Sequence, residues 1–246
     1  MTPIIVIPAR LASSRLPNKP LADIAGQPMI VHVLRRAEAA AVGPVLVACA
    51  EPEIAEAVRR AGGVALLTDP ALPSGSDRVQ AAMAAFDPQR RYDVVVNLQG
   101  DLPTIDPAQL RAVLTPLDDA GCDLATLVTP IRDDAEAAAA SVVKAVCGFE
   151  GSSATARAMW FSRLPIPWGE GPRWHHLGVY AWRRAALDRF VTLPATTLER
   201  REGLEQLRAL EAGMAIGCAR VEQAVFGVDT PADLERARHA LAAVAA

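Results

Sequence analysis

The residues with the plainest chemistry lie in a loop behind the first apolar run of the chain. Pro8-Ala9-Arg10-Leu11-Ala12-Ser13-Ser14-Arg15-Leu16-Pro17-Asn18-Lys19-Pro20-Leu21 sets Arg10, Arg15 and Lys19 among small residues. Such a loop lets backbone N–H groups and three cations converge on phosphate oxygens. A solvated loop with ordinary surface charges has the same composition, and the residues alone leave both readings open. The glycines of a Walker loop or of a GxGxxG fingerprint are absent, which weighs against a P-loop ATPase and a Rossmann dehydrogenase. Two aspartates offer hard oxygen ligands: Asp101 follows the apolar run Val94–Leu98, and Asp229 precedes the last helix. Meeting at one sheet edge, they suit Mg2+, which prefers oxygen and retains several waters. Asp101 equally starts a turn before Pro103, and Asp229 equally caps the final helix. Arg78 stands where a helix begins and its dipole disfavours a cation, a conflict that points to a ligand. A solvated arginine is the alternative. Gln99 suits either a ligand contact or a buried structural amide.

These residues need a scaffold that brings strand ends together. Short β-branched runs alternate with alanine- and leucine-rich stretches, the pattern of a parallel sheet wrapped by helices. Strands are expected at Ile4–Ile7, Val45–Cys49, Val64–Leu67 and Val94–Leu98, with helices over Pro28–Ala40, Ile54–Ala61 and Asp77–Phe86. Val94–Leu98 is almost uniformly apolar, as a strand buried on both faces requires. Loops at the C-terminal ends of such strands are where open α/β sheets bind ligands. From about Leu124 the rhythm changes. Leu124–Val128, Val142–Val146 and Leu177–Trp182 read as strands separated by proline-rich loops, Gly203–Ala212 as a helix and Ile216–Val221 as a late strand. The alanine run Ala135–Ala140 reads as helical. The last helix starts at Thr230-Pro231, where threonine can cap and proline suits the first position. Roughly 129–174 reads as a lobe inserted into the sheet or attached at its edge.

Composition narrows the class. The 246 residues are 51% hydrophobic but only 4% aromatic, so tight helix packing is expected rather than a core of rings. The formal charge is −3, with no basic run of the kind that grips nucleic acid. A polyanionic substrate would have to be met by a few placed cations. Cys49, Cys122, Cys147 and Cys218 lie far apart, which suits buried thiols in a reducing compartment better than disulfides or zinc. The chain opens directly into Pro3-Ile4-Ile5-Val6-Ile7, and no apolar run approaches the ~18–20 residues of a membrane span. A cytoplasmic protein without membrane insertion is expected.

Several segments together resemble one family. Pro8-Ala9-Arg10, Ser14-Arg15-Leu16-Pro17 and Lys19-Pro20-Leu21 are similar to the nucleotide-binding loop of the CMP-KDO synthetases, members of the glycosyltransferase-A-like nucleotidyltransferases. Gly26-Gln27-Pro28-Met29-Ile30 continues the match, followed by Ser74-Gly75-Ser76-Asp77-Arg78 and Val96-Asn97-Leu98-Gln99-Gly100-Asp101. Phe161-Ser162-Arg163, Ile166-Pro167-Trp168 and His176-Leu177-Gly178-Val179-Tyr180 come next. Leu204-Glu205-Gln206-Leu207-Arg208 and Gly227-Val228-Asp229-Thr230-Pro231 close the series.

The resemblance implies a single nucleotidyltransferase domain over 1–246, with a Rossmann-like, mostly parallel sheet and a smaller dimerisation or acceptor lobe. It implies a homodimer that joins CTP to 3-deoxy-manno-octulosonate (KDO) in the cytoplasm for lipopolysaccharide synthesis. It puts Mg2+ on Asp101 and Asp229, and nucleotide contacts on Pro8, Ala9, Arg10, Arg15, Lys19, Ser74, Arg78 and Gln99. Catalysis falls to Asp101, Asp229, Lys19 and Arg10. Recognition of the acid sugar falls to Gln99, Arg163, His176, Tyr180, Glu205 and Gln206. The implied reaction is in-line attack of the sugar's anomeric hydroxyl on the α-phosphorus of CTP. Departures are Leu102, where an acidic residue is usual, Cys49-Ala50, where a Thr-Asp pair is common, and a short stretch over 169–174. They bear on the choice of acceptor, for which a related acid sugar is the rival, and on a second metal. A non-catalytic nucleotide-binding relative is the other rival, and the presence of Asp101 and Lys19 opposes it.

Overall fold

The structure is a computed structural model and describes residues 1–13, 15–119 and 121–245, with side chains to 242. Ser14 of the loop motif therefore lies outside the described residues. The chain divides into two compact units, Met1–Leu110 with Val225–Ala246, and Arg111–Ala224. The segment read as a lobe, 129–174, falls inside the second.

The first unit holds β1 (Pro3–Ala9), β2 (Asp23–Ile24), β3 (Gln27–Pro28), α1 (Met29–Ala40), β4 (Val45–Cys49), α2 (Pro52–Arg60) and β5 (Val64–Leu67). It continues with α3 (Gly75–Phe86), β6 (Val94–Asn97) and α4 (Pro107–Ala112), which leads out of it. Its principal strands run in the order β5-β4-β1-β6, all in parallel. Covered on both faces, β1 is apolar throughout, and Ile4, Ile5, Val6 and Ile7 are wholly buried. Each such side chain contributes about 1.5–3 kcal/mol by leaving water. Helix α1 turns Met29, Ile30, Val33, Leu34 and Ala37 inward at helical spacing. Pro52 opens α2, and Gly62, at φ 80°, follows its end. The last helix of the chain, α9 (Pro231–Ala245), belongs to this unit. Its Leu234 and Ala237 pack with Ile24, Met29 and Val228.

The second unit contains β7 (Leu124–Pro130), α5 (Asp134–Ala138), β8 (Lys144–Cys147), β9 (Thr155–Ser162) and β10 (Trp174–Arg183). It adds α6 (Arg184–Thr192), α7 (Thr197–Glu202), α8 (Gln206–Glu211) and β11 (Ile216–Arg220). Here the expectation of a mostly parallel sheet is corrected. Strand β11 runs parallel to β7, but β7–β10, β8–β10, β9–β11 and β8–β9 are antiparallel. The short link between β8 and β9 is the reason, since a parallel neighbour needs a crossover of a dozen residues or more. The fold is α/β with a mixed set of strands.

Strand β9 and helix α6 answer to none of the elements read from the sequence. The helix expected over Gly203–Ala212 is shortened to α8, because Gly203 takes a left-handed conformation, φ 64°, at the end of α7, a separate helix that the sequence reading did not include. Among the described residues no helix is long and apolar enough to cross a membrane. All four cysteines are free, and Cys147 alone is partly exposed.

Candidate active site

Strand β1 delivers Pro8 and Ala9 to its C-terminal end, where the basic loop begins. The loop is held by its own chain: Leu11 N donates to the Glu51 carboxylate at 2.9 Å, and Leu21 N to Asn18 O at 2.8 Å. Neighbouring β6 ends at Asn97, and Gln99-Gly100-Asp101 crosses the same edge. Gly100 is required there, because a Cβ would stand 2.8 Å from the Pro8 carbonyl oxygen. Helix α3 starts at the same edge with Ser74 as its cap, whose hydroxyl accepts from Asp77 N at 3.2 Å.

The result is a cleft of about 390 Å3 within the first unit. Pro8, Ala9, Arg10, Arg15, Lys19, Ser74, Arg78, Gln99 and Asp101 line it, together with Ala12, Ser13, Leu72, Gly75 and Gly100. Arg10 and Arg15 are exposed, whereas Arg78 is buried at 2% exposure. Its guanidinium turns away from the helix axis and donates to Thr68 Oγ1 at 2.5 Å and Asp69 O at 3.1 Å. Burial pulls its pKa down, opposed by Glu51 and assisted by Arg10.

Asp229 comes to this edge from the far end of the chain. Val228 N donates to Asp101 O at 2.9 Å, so the segment before α9 runs beside Asp101. Helix α9 is capped by Thr230, whose hydroxyl accepts from Asp233 N at 3.2 Å. Asp233 in turn accepts from Thr230 N at 2.9 Å and Asp229 N at 3.2 Å. The cap thus uses the backbone of Asp229 and leaves its carboxylate pointing elsewhere. Lys19 Nζ donates to Asp101 Oδ2 at 2.8 Å and to Asp229 Oδ1 at 2.9 Å, while Arg15 reaches Asp229 Oδ2 at 3.0 Å. Burial lowers the pKa of Lys19, but the two carboxylates more than offset it, and the net shift is upward. Two acids 128 positions apart already converge on one positive centre. Among the described residues no group of three or more His, Cys, Asp or Glu gathers as a metal cage. A cation here would rest on these two carboxylates and fill its shell with water or ligand oxygen, a donor set that fits a hard divalent ion.

The remaining candidates lie in the second unit. His176 on β10 is 8% exposed, with Nε2 3.0 Å from Thr126 Oγ1 and Nδ1 3.5 Å from Gln206 Nε2. The single Thr126 proton goes to carbonyl oxygen, with Leu177 O at 3.0 Å and Val179 O at 2.8 Å. His176 therefore donates from Nε2 and accepts from Gln206 at Nδ1, an assignment by hydrogen-bond logic. Burial pushes its pKa down to about 3, with His175 adding to the effect. Tyr180 packs 5.6 Å from the His176 ring, and burial raises its phenol well above the usual range. Arg163, at the end of β9, spends three donors on carbonyls: Glu202 O at 2.8 Å, Ala140 O at 2.9 Å and Gly203 O at 3.2 Å. Glu205 leads into α8 next to Gln206.

Three supporting residues escaped the reading of the sequence: Thr126, Thr68 and Lys144. A threonine inside the apolar run Leu124–Val128 was a visible signal, as was a lysine inside Val142-Val143-Lys144-Ala145-Val146. Nothing local marked Thr68.

Comparison with known proteins adds names to this geometry. A family model described as cytidylyltransferase matches residues 4–216. The chain is 57% identical over 243 residues to 3-deoxy-manno-octulosonate cytidylyltransferase of Paramagnetospirillum magneticum, covering 99% of each. It is 61% identical to the protein of that name in Rhodospirillum centenum, covering 96% of this chain and 92% of the relative. A solved structure of CMP:2-keto-3-deoxy-manno-octonic acid synthetase complexed with CTP superposes with a TM-score of 0.90 at 41% identity, over 99% of this chain and 100% of the other. A cytidylyltransferase of Leptospira borgpetersenii, at 15% identity and a TM-score of 0.61, shares the fold over 97% of this chain and 85% of its own.

Proposed function

The chain belongs to the cytidylyltransferase family, and from that premise we propose that it activates KDO: CTP + KDO gives CMP-KDO and diphosphate. One observation carries the reading. A single cleft is lined by a basic loop and Asp101, and Lys19 of that cleft pairs with both Asp101 and Asp229, the parts needed to neutralise a triphosphate and to hold a cation beside it. The identity of the sugar is supported by relatives of that name matched end to end.

The chemistry is positioning and charge neutralisation, with no covalent nucleophile required. Arg10 and Arg15 meet the outer phosphates, and the N-terminal turn of α3 with Ser74 adds backbone donors. Arg78, fixed by Thr68, shapes the nucleotide side of the cleft. Asp101 and Asp229 are the residues that would hold Mg2+, which when bound would balance charge on the α-phosphate and lower the pKa of the attacking hydroxyl. Lys19 is the movable charge: it balances the two carboxylates in their absence of other cations and otherwise serves the phosphates. In the second unit, Arg163, His176, Tyr180, Glu205 and Gln206 take the acid sugar, whose carboxylate suits a guanidinium and whose hydroxyls suit the amide and the phenol. Three of the five N–H donors of Arg163 are committed to carbonyls. Its fork is therefore held in place before any ligand arrives.

We place the reaction in the cytoplasm, feeding lipopolysaccharide synthesis, and propose a homodimer. Trp168 is 100% exposed and Leu164 and Met159 are 70% and 65% exposed in the second unit, apolar surface that a second copy would cover. Sedimentation velocity at micromolar protein returning only the 26.0 kDa monomer would remove the dimer from the reading. The catalytic reading is tested by diphosphate release with CTP, ATP, GTP and UTP, each with KDO, 8-amino-KDO or a sialic acid, with and without Mg2+. CTP, KDO and Mg2+ together should give release well above every other combination. Equal release with a sialic acid, or none with KDO, defeats the assignment.

A further inference from the structure

Lys144 is wholly buried, at 0% exposure, at the start of the otherwise apolar strand β8. Its ammonium has three N–H donors, and all three end on backbone carbonyls: Ala139 O at 3.0 Å, Val142 O at 2.7 Å and Arg163 O at 2.5 Å. A charge without water is costly unless its hydrogen bonds are complete. A hydrophobic residue in that strand would avoid the cost. What it could not do is draw three carbonyls from two separate segments onto one point, which the three N–H donors of a tetrahedral ammonium do. The two segments are the α5–β8 connection and the end of β9.

The contacts spread from there to the residues read as the acceptor set. Arg163 returns a bond to the same connection through Ala140 O at 2.9 Å, and grips Gly203 O at 3.2 Å just ahead of Glu205 and Gln206. His176 N donates to Val143 O at 2.8 Å, one residue before Lys144. Glu202 closes the group, accepting from Ser162 Oγ at 2.9 Å and from Arg163 N at 3.1 Å. Without the ammonium, Val142 O and Arg163 O would lose this partner and Ala139 O would keep only Val142 N at 3.1 Å, and the cheapest relief is for the 139–142 connection to move off Arg163.

We propose that Lys144 is a positioning residue for the acid sugar: it touches no substrate, but its ammonium sets the backbone that aims Arg163 and His176. The proposal rests on the reading of those two as acceptor contacts. In Lys144→Met, which keeps the length and loses the donors, KM for KDO should rise at least about tenfold, at one charge-assisted contact misplaced. CTP affinity measured by calorimetry without KDO should stay within twofold. Lys144→Arg, which restores charge and donors, should recover part of the loss in KM. Hydrogen exchange read by mass spectrometry should quicken over 139–143, 162–164 and 203–206 in Lys144→Met and remain as in wild type over 3–24. Should Lys144→Met not fold, Lys144→Gln takes its place in every measurement. A KM for KDO within twofold of wild type, CTP affinity lost in step with KDO, or failure of both variants to fold each overturns the proposal. Wild-type enzyme that makes no CMP-KDO defeats the acceptor reading instead, and the exchange pattern then decides alone whether Lys144 holds these segments.

Discussion

Lys19 Nζ stands 2.8 Å from one carboxylate and 2.9 Å from another, so each member of the trio is understood only through the others. If Asp101 and Asp229 hold a cation during turnover, neutralising either removes stabilisation of charge in the transition state. Asp101→Asn and Asp229→Asn should each lower kcat at least ~10²-fold with an unchanged circular dichroism spectrum. Near-normal turnover at saturating Mg2+ in one variant excludes that residue as a ligand. Lys19→Met removes a point charge from the cleft and leaves the two acids without their shared partner. Its KM for CTP should rise by roughly tenfold, the size of one charge-assisted hydrogen bond, while KM for KDO moves little. The raised pKa of Lys19 has a definite sign. Its favourable pairing is complete below the ordinary value of 10.5 and is lost only as pH climbs through the higher folded value. A rate profile between pH 7 and 9 should therefore carry no inflection that Lys19→Met abolishes.

At the scale of an element, α9 matters through its first turn. Asp233 accepts from Asp229 N, Thr230 N and Thr230 Oγ1 at 3.2, 2.9 and 2.7 Å, so one cap both starts the helix and fixes the backbone behind Asp229. Asp233→Ala should cost about 1–2 kcal/mol in urea unfolding, as lost caps do, and should also lower kcat. Glu235→Ala, which removes only a surface pair with Arg238, is the control and should leave both nearly unchanged. Equal kcat in the two variants would mean that Asp229 is aimed by other contacts. Strands pose the opposite case in Cys147 and Cys218, whose sulfurs stand 3.3 Å apart. They flank β9, opposite Ala158 and Ala156, and both thiols are free.

For the molecule as a whole, buried His176 and half-buried His175 contribute to its behaviour in acid. His176 is held neutral, its pKa pushed down to about 3 by burial, and burial likewise lowers His175 against the pull of Glu136. The unfolded chain takes up protons near the ordinary 6.5, while the folded chain does not. Stability is therefore whole above that value and drains away as pH falls toward 3, by roughly 1 kcal/mol per pH unit for His176. Urea midpoints should drop between pH 7 and 5, and His176→Gln should flatten that drop. An equally steep drop in His176→Gln would assign the acid sensitivity to other groups.

Periodicity made much of the first unit readable, because its strands are buried on both faces and betray themselves as apolar runs such as Val94–Leu98. The positions of Arg10, Arg15, Lys19, Asp101 and Asp229 on loops after strand ends followed from the same reading, since open sheets gather ligands there. Composition weighed against a nucleic-acid face and the missing glycines against a P-loop, and the ordered motifs carried the family. Four things needed the folded chain. The capping role left open for Asp229 went to Thr230 and Asp233, a choice made by side-chain direction that no spacing encodes. The mixed strand order of the second unit depends on which edges meet, and β9, half exposed along its length, shows no clean alternation. Gly203 ends α7 and delays the helix expected from it until Gln206, because its backbone turns left-handed, which glycine permits without requiring. Lys144 and Thr126 were legible as polar residues in apolar strands, but their partners are carbonyls and a ring brought from distant segments. Sequence carries what a residue can do locally. Which of its options is used is set by the neighbours that burial forces upon it.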